Sequence, residues 1–186
     1  MPMPVKFTRT DFPGVLLVET GSAADDRGFF AELYSRSMWA EAGFAHEFVQ
    51  DNLSLSRLGV LRGLHYQIEP HAMGKLVRAL SGAVYDVGVD LRKGSPTFGK
   101  WFGCELNAAE PLALWLPPGF AHGFLAMEEN TLVHYKCTER HVPEAERTLN
   151  YADPAIGIKW PFNPRIVSPK DANAPMLDCA EYNFRF

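Results

Sequence analysis

The run Val60-Leu61-Arg62-Gly63-Leu64-His65-Tyr66-Gln67, followed closely by Gly74-Lys75-Leu76-Val77-Arg78, sets two arginines, a lysine and a histidine among apolar residues. Unpaired buried charge is expensive, so an ordinary β-sandwich core avoids this combination. Arginine and lysine converging on one place suit an anion or a developing oxyanion, and a histidine beside them can accept and release a proton. The chemistry these residues predict is binding of an anionic ligand coupled to movement of a proton. A core histidine hydrogen-bonded to backbone is the ordinary alternative for His65, and its neighbours Arg62 and Lys75 weigh against it.

The elements that must position these groups read as strands, over 15–19, 28–34, 47–55, 60–67, 75–81, 83–91, 99–106, 112–116, 122–127 and 131–138. In 83–90 the alternation puts Tyr85, Val87 and Val89 on one face and Asp86, Gly88 and Asp90 on the other. Short strands separated by Gly and Pro turns predict an all-β sandwich or small barrel. One helix is predicted over 37–42, with Ser37 as N-cap and Gly43 as the stop. From about residue 139 the chain becomes Pro-rich and irregular, yet too aromatic for a disordered tail. That segment is expected to wrap the barrel and bring side chains to its mouth.

A chain of 186 residues fits a single domain over 1–186. Its 47% hydrophobic and 22% charged residues are those of a soluble globular protein. A net charge of -4 with scattered Lys and Arg provides no continuous basic face, so no nucleic-acid partner is expected. Cys104, Cys137 and Cys179 are far apart, odd in number and without metal-like spacing, which predicts a reducing cytosol. The amino terminus lacks a signal-peptide layout, and no apolar run approaches the roughly 20 residues of a membrane span. A cytoplasmic protein with no membrane partner is expected.

Leu116-Pro117-Pro118-Gly119-Phe120-Ala121-His122-Gly123-Phe124 reads as strand, tight turn, strand. Its Pro-Gly-x-x-His core resembles the second motif of the cupins, which are jelly-roll barrels, also called double-stranded β-helices. Metal-binding cupins carry His-x-His and a Glu in their first motif, a facial ligand set. Here that place holds His65-Tyr66-Gln67, one ligand short, so no metal is expected.

Further segments extend the likeness along the chain: Asp26 to Glu32, Gln50-Asp51-Asn52, Val60 to Gln67, Gly74 to Arg78, Ser95 to Gly99, Pro118 to Phe124, Tyr135-Lys136 and Lys170-Asp171. In order and spacing they resemble the dTDP-4-dehydrorhamnose 3,5-epimerase family, nucleotide-sugar enzymes of the cupin superfamily. The resemblance implies an all-β jelly roll with a few short helices and an irregular C-terminal wrap. It also implies cofactor-free epimerisation of a dTDP-4-keto-6-deoxy sugar at C3 and C5, and a homodimer.

That chemistry needs a base on one face of the ring, an acid on the other and a donor for the enolate oxygen. By resemblance His65 is the base and Asp171 its orienting carboxylate, Lys75 faces the C4 oxygen, and Tyr135 is the opposing acid, made more acidic by Lys75. The resemblance assigns the diphosphate and nucleoside to Arg27, Phe29, Glu32, Gln50, Asp51, Asn52 and Arg62, with His122, Glu146 and Lys170 completing the site. For Arg27 an ion pair with Glu32 is the structural alternative. Where the family carries an aromatic ring stacking on thymine, this chain has His141, which leaves the base open. Inversion at one carbon only, another nucleotide sugar, and a non-catalytic sugar-nucleotide-binding cupin stand as alternatives.

Overall fold

Period-two alternation broken by frequent turns leaves little room for helix, and in a computed structural model describing residues 4–186 the regular structure is almost all strand. In chain order its elements are β1 (Val5–Arg9), β2 (Leu16–Thr20), β3 (Ser22–Asp25), β4 (Gly28–Ala31), α1 (Arg36–Glu41), β5 (Gln50–Ser56), β6 (Val60–Gln67) and β7 (Lys75–Ser81). There follow β8 (Ala83–Asp90), β9 (Trp101–Asn107), β10 (Leu112–Leu116), β11 (Phe120–Ala126), β12 (Thr131–Cys137), β13 (Glu146–Thr148), β14 (Ile166–Val167) and α2 (Pro169–Ala172).

The first sheet runs β1-β2-β10-β7-β12-β5 and the second β13-β6-β11-β8-β9, with β14 parallel to β6 and β3–β4 a separate hairpin. The two sheets face each other as a jelly roll. Val77, Leu114, Leu116 and Val133 of the first meet Val84, Leu106, Phe120 and Phe124 of the second in one buried cluster. Outside the first sheet, Trp39 and Phe44 around α1 cover Leu76 and Trp115.

The split of faces along β8 holds, but with the polar face inward. Asp86 and Gly88 look into the barrel, where a Cβ on Gly88 would lie 2.5 Å from a Leu116 methyl. Val87 and Val89 turn outward and are buried instead by Leu149, Ile156 and Phe184 of the C-terminal wrap. The wrap thus supplies the second sheet with the apolar cover that makes both faces of β8 interior. It also contains β13 and β14, which sequence pattern misses because strands this short show no alternation. The strands β1 and β3 are missed likewise, and the first helix starts one residue early, with Ser35 rather than Ser37 at its N-cap.

The segment Ser95-Pro96-Thr97 is structural. Asp90, fully buried at the end of β8, accepts from Arg92 Nε (2.9 Å) and Nη2 (2.8 Å), Ser95 Oγ (2.6 Å) and Thr97 Oγ1 (2.7 Å). Burial pushes its carboxyl up, but these donors outweigh burial and hold it below the usual carboxylate value. Arg92 also lies over Phe120 (4.6 Å) and Phe186 (5.1 Å), which ties the chain end to β11. Replacing Asp90 with Ala leaves Arg92 unpaired and is expected to cost about 3–5 kcal/mol by urea unfolding at pH 7. Because the folded pKa is depressed, the contribution is complete above the unfolded Asp value of about 3.9 and fades as pH falls through the folded one. The gap between wild type and variant should therefore close in acid.

Candidate active site

Two glycines bring β6 and β11 unusually close. A Cβ on Gly63, whose φ is +120°, would lie 2.6 Å from Gly123 Cα, and one on Gly123 would lie 2.7 Å from the Arg62 carbonyl oxygen. The register shifts beside this contact, between His122 and Phe124, and leaves His122 as the cross-strand partner of His65. Neighbouring strands thus carry two imidazoles side by side.

Each imidazole is held by a carboxylate. His65 Nε2 is 2.7 Å from Asp171 Oδ1, while Asp171 Oδ2 accepts from the Gly63 N–H at 3.2 Å. Asp171 sits in α2, where its own N–H donates to Ser168 Oγ at 3.1 Å, an N-cap bond that fixes the helix and the carboxylate together. Burial raises the Asp171 pKa, but the hydrogen bond and charge of His65, with Gly63 and Ser168, bring it below the ordinary value. An ionised Asp171 accepts only, so it draws the ring proton to Nε2 and leaves Nδ1 able to take a proton. On the adjacent strand His122 Nε2 is 2.8 Å from Asp86 Oδ1, both groups buried. Burial holds His122 below its usual pKa, against the opposing pull of Asp86.

The facing sheet contributes Lys75 from β7 and Tyr135 from β12. Cys137 pairs with Lys75 in register, which makes Tyr135 its diagonal neighbour on the inward face. Lys75 Nζ donates to the His65 carbonyl oxygen at 3.1 Å; burial pushes its pKa down, while Cys137, Asp86 and Glu146 oppose that. Tyr135 departs from expectation. Burial, reinforced by Cys137, raises its phenol pKa despite the opposing Arg62, so the group stays protonated rather than becoming more acidic. His65 and Tyr135 thus come from opposite walls.

Between the walls lies a cleft with two lobes, both bordered by His65, Lys75 and Tyr135. The larger, about 470 Å³, is lined also by Arg62, His122, Lys170 and Asp171. The smaller, about 280 Å³, is lined by Gln50, Asn52, His141 and Glu146. Arg62 is pinned at the cleft by Ser56 Oγ (3.1 Å) and the Leu55 carbonyl (3.0 Å). Glu146 pairs with Lys170 at 2.8 Å. Gln67, at the position of the missing cupin histidine, is spent on the loop beside His141: it accepts from the Val142 N–H (2.7 Å) and donates to the carbonyls of His71 (2.8 Å) and Arg140 (3.1 Å). Among the described residues no three His, Cys, Asp or Glu side chains come together as a metal site.

Four expected site residues fall outside this cleft. Asp51 alternates to the opposite face of β5 from Gln50 and Asn52 and pairs with Lys136 at 2.7 Å. Arg27, Phe29 and Glu32 lie on or just after the β3–β4 hairpin, where Arg27 pairs with Asp25 rather than Glu32 and Phe29 is 73% exposed. The cleft also takes residues that sequence reasoning passed over: Ser54, Phe124, Ser168 and Met73. Ser54 had a legible signal, the alternation that already carried Gln50 and Asn52. Ser168 had one as an N-cap before Pro169.

Gly123→Ala should force β6 from β11 by an overpacking effect of roughly 1–3 kcal/mol. Urea unfolding is expected to show that loss, and a crystal structure of the variant should show a lengthened His65–Asp171 contact. An unchanged stability would mean the strands yield at no cost.

The family model described as dTDP-4-dehydrorhamnose 3,5-epimerase matches residues 9–178. A dTDP-4-dehydrorhamnose 3,5-epimerase of Shigella flexneri is 46% identical over 175 residues, covering 94% of this chain and 97% of the relative. One from Pseudomonas aeruginosa is 50% identical over 169 residues, covering 90% and 93%. Among solved structures, the dTDP-6-deoxy-D-glucose-3,5-epimerase of Legionella pneumophila in complex with dTDP-4-keto-L-rhamnose is similar with a TM-score of 0.90 and 42% identity, covering 95% and 94%.

Proposed function

The chain belongs to the dTDP-4-dehydrorhamnose 3,5-epimerase family, and we propose that it converts dTDP-4-dehydro-6-deoxy-D-glucose to dTDP-4-dehydro-L-rhamnose without a cofactor. One observation carries the reading: His65 on one sheet, paired with Asp171 of the wrap, faces Lys75 and Tyr135 on the other across a shared cleft. A 4-keto sugar lying between them has acidified C–H bonds at C3 and C5. His65 Nδ1 takes the proton, the bonding pair moves toward the carbonyl, and the enolate charge gathers on O4 beside Lys75 Nζ. Tyr135, kept neutral by burial, returns a proton to the opposite face and is re-protonated from solvent, as His65 releases its own. Repetition at the second carbon requires only that the ring shift between the same walls. Arg62 and Lys170 suit the diphosphate, while Gln50, Asn52, His141 and Glu146 in the smaller lobe offer donors and acceptors to the remainder of the substrate.

A homodimer and a cytoplasmic location belong to the same proposal. Leu53 (62% exposed) and Leu55 (58%) project from β5, the edge of the first sheet, and Phe29 (73%) and Phe30 (68%) from the hairpin. Apolar side chains on an edge strand are protected by pairing with a second copy. Such pairing would bring Arg27 and Phe29, outside their own chain's cleft, toward the partner's. Three free cysteines suit a reducing compartment. Among the described residues no helix is long and apolar enough to cross a membrane.

In heavy water, the 4-keto sugar incubated with the protein should acquire deuterium at both C3 and C5. Deuterium at one carbon points to a mono-epimerase, and none, with nucleotide still bound, to a binding module. His65→Ala should lower exchange by roughly 10²–10⁴-fold; wild-type exchange in that variant would overturn the assignment of the base. For the assembly, sedimentation at micromolar concentration should give a dimer that Leu53→Asp dissociates, and a fully active monomer would remove the dimer from the proposal.

A further inference from the structure

Three buried side-chain polar atoms lack a hydrogen-bond partner among the described residues: Ser54 Oγ, Asp86 Oδ2 and Thr148 Oγ1. All border the site, since Ser54 lines the cleft, Thr148 pairs with His65 in register and Asp86 holds His122. Asp86 is the costly one. A carboxylate with no exposed surface and a single side-chain hydrogen bond requires a cation close by.

Among the described residues only the His122 ring lies within ion-pair distance of Asp86, and Lys75 is the buried cation that feels its charge from farther off. It is buried, lies within electrostatic reach of Asp86, and shares with Asp86 the neighbour His122, which feels both charges and that of His65. The other groups facing Lys75 are committed elsewhere. Burial keeps the Cys137 thiol neutral by pushing its pKa up, and Glu146 is paired with Lys170. The Asp171 carboxylate of the same cleft holds His65.

We propose that Asp86 is a positioning residue for the proton transfer: it is the counter-charge that keeps Lys75 an ammonium, and by accepting from His122 Nε2 it fixes that ring, which burial keeps neutral, in one tautomer beside it. The inference rests on the assignment of Lys75 to the C4 oxygen made above. Its logic is electrostatic. Once His65 has taken the sugar proton, Lys75 and His65 are both cations in one cleft, and a third on His122 would be opposed by both. Burial keeps His122 from becoming that third cation, and the Asp86 anion bonded to it offsets the other two without touching the substrate.

The test is Asp86→Asn, which keeps the shape and deletes the charge, read by the pH profile of kcat/KM and by NMR titration of protein labelled at lysine Cε. The Lys75 resonance is identified by its loss in Lys75→Met. With the carboxylate gone, the Lys75 midpoint and the alkaline limb should fall together by about 1–3 pH units, with affinity for dTDP unchanged. A purely structural role predicts weaker dTDP binding and an unmoved Lys75 midpoint, and that result would overturn the proposal. Should the asparagine variant lose its near-ultraviolet circular dichroism, Asp86→Ser, which leaves space for water, is expected to show the same fall. The wild type alone is also decisive, because a Lys75 already neutral at pH 7 contradicts a working counter-charge. Failure of the functional reading is separable: the wild type would then exchange neither C3 nor C5, while the Lys75 midpoint would still report on Asp86.

Discussion

The contact between His65 Nε2 and Asp171 Oδ1 joins residues 106 apart in the chain, and the rest of the site depends on it. His65 belongs to a central strand of the second sheet, whereas Asp171 belongs to a four-residue helix in the irregular C-terminal wrap. A helix so short has no stability of its own. It is held by the Ser168 cap within it, by the Gly63 N–H on the second oxygen of Asp171, and by β14 running parallel to β6 just before it. The wrap is therefore both the outer cover of the barrel and part of the wall of its cleft.

The barrel interior divides by polarity. Aliphatic and aromatic side chains fill part of it, and the remainder carries His65, His122, Lys75, Asp86 and Tyr135. Buried polar groups are tolerable only when charges match and hydrogen bonds are made. The two carboxylate–imidazole pairs and the single ammonium largely meet that condition. What remains unmet among the described residues is an oxygen each of Ser54, which lines the cleft, Asp86, which holds His122, and Thr148, the cross-strand partner of His65.

Much of this was legible in the residues. The strands β6, β7 and β10 fall where alternation and turn signals put them, because proline fixes φ and glycine permits the positive φ that the intervening turns need. The cleft gathers His65, Lys75 and Arg62, whose closeness in sequence suggests a common site, with Tyr135 and His122, which only the family resemblance adds. The exceptions have specific causes. Asp51 sits between Gln50 and Asn52 in sequence, yet a strand sends alternate side chains to opposite faces, so adjacency does not carry it into the cleft. Arg27 and Phe29 ride on a two-stranded hairpin that packs into neither sheet, and composition says nothing of where such a hairpin goes.

The sequence by itself determined the longer strands, the family and the kinds of group available for proton transfer, because backbone dihedrals, alternation and side-chain chemistry are local properties. Tertiary structure decided the rest. It turned the polar face of β8 inward, since the wrap covers the apolar one, and so brought Asp86 to His122. It raised the phenol of Tyr135 where the neighbouring lysine suggested the reverse, since burial outweighs a nearby charge. It also carried Asp171 to His65 from the far end of the chain. Desolvation and long-range contact depend on what packs above a residue, and no stretch of sequence around that residue records it.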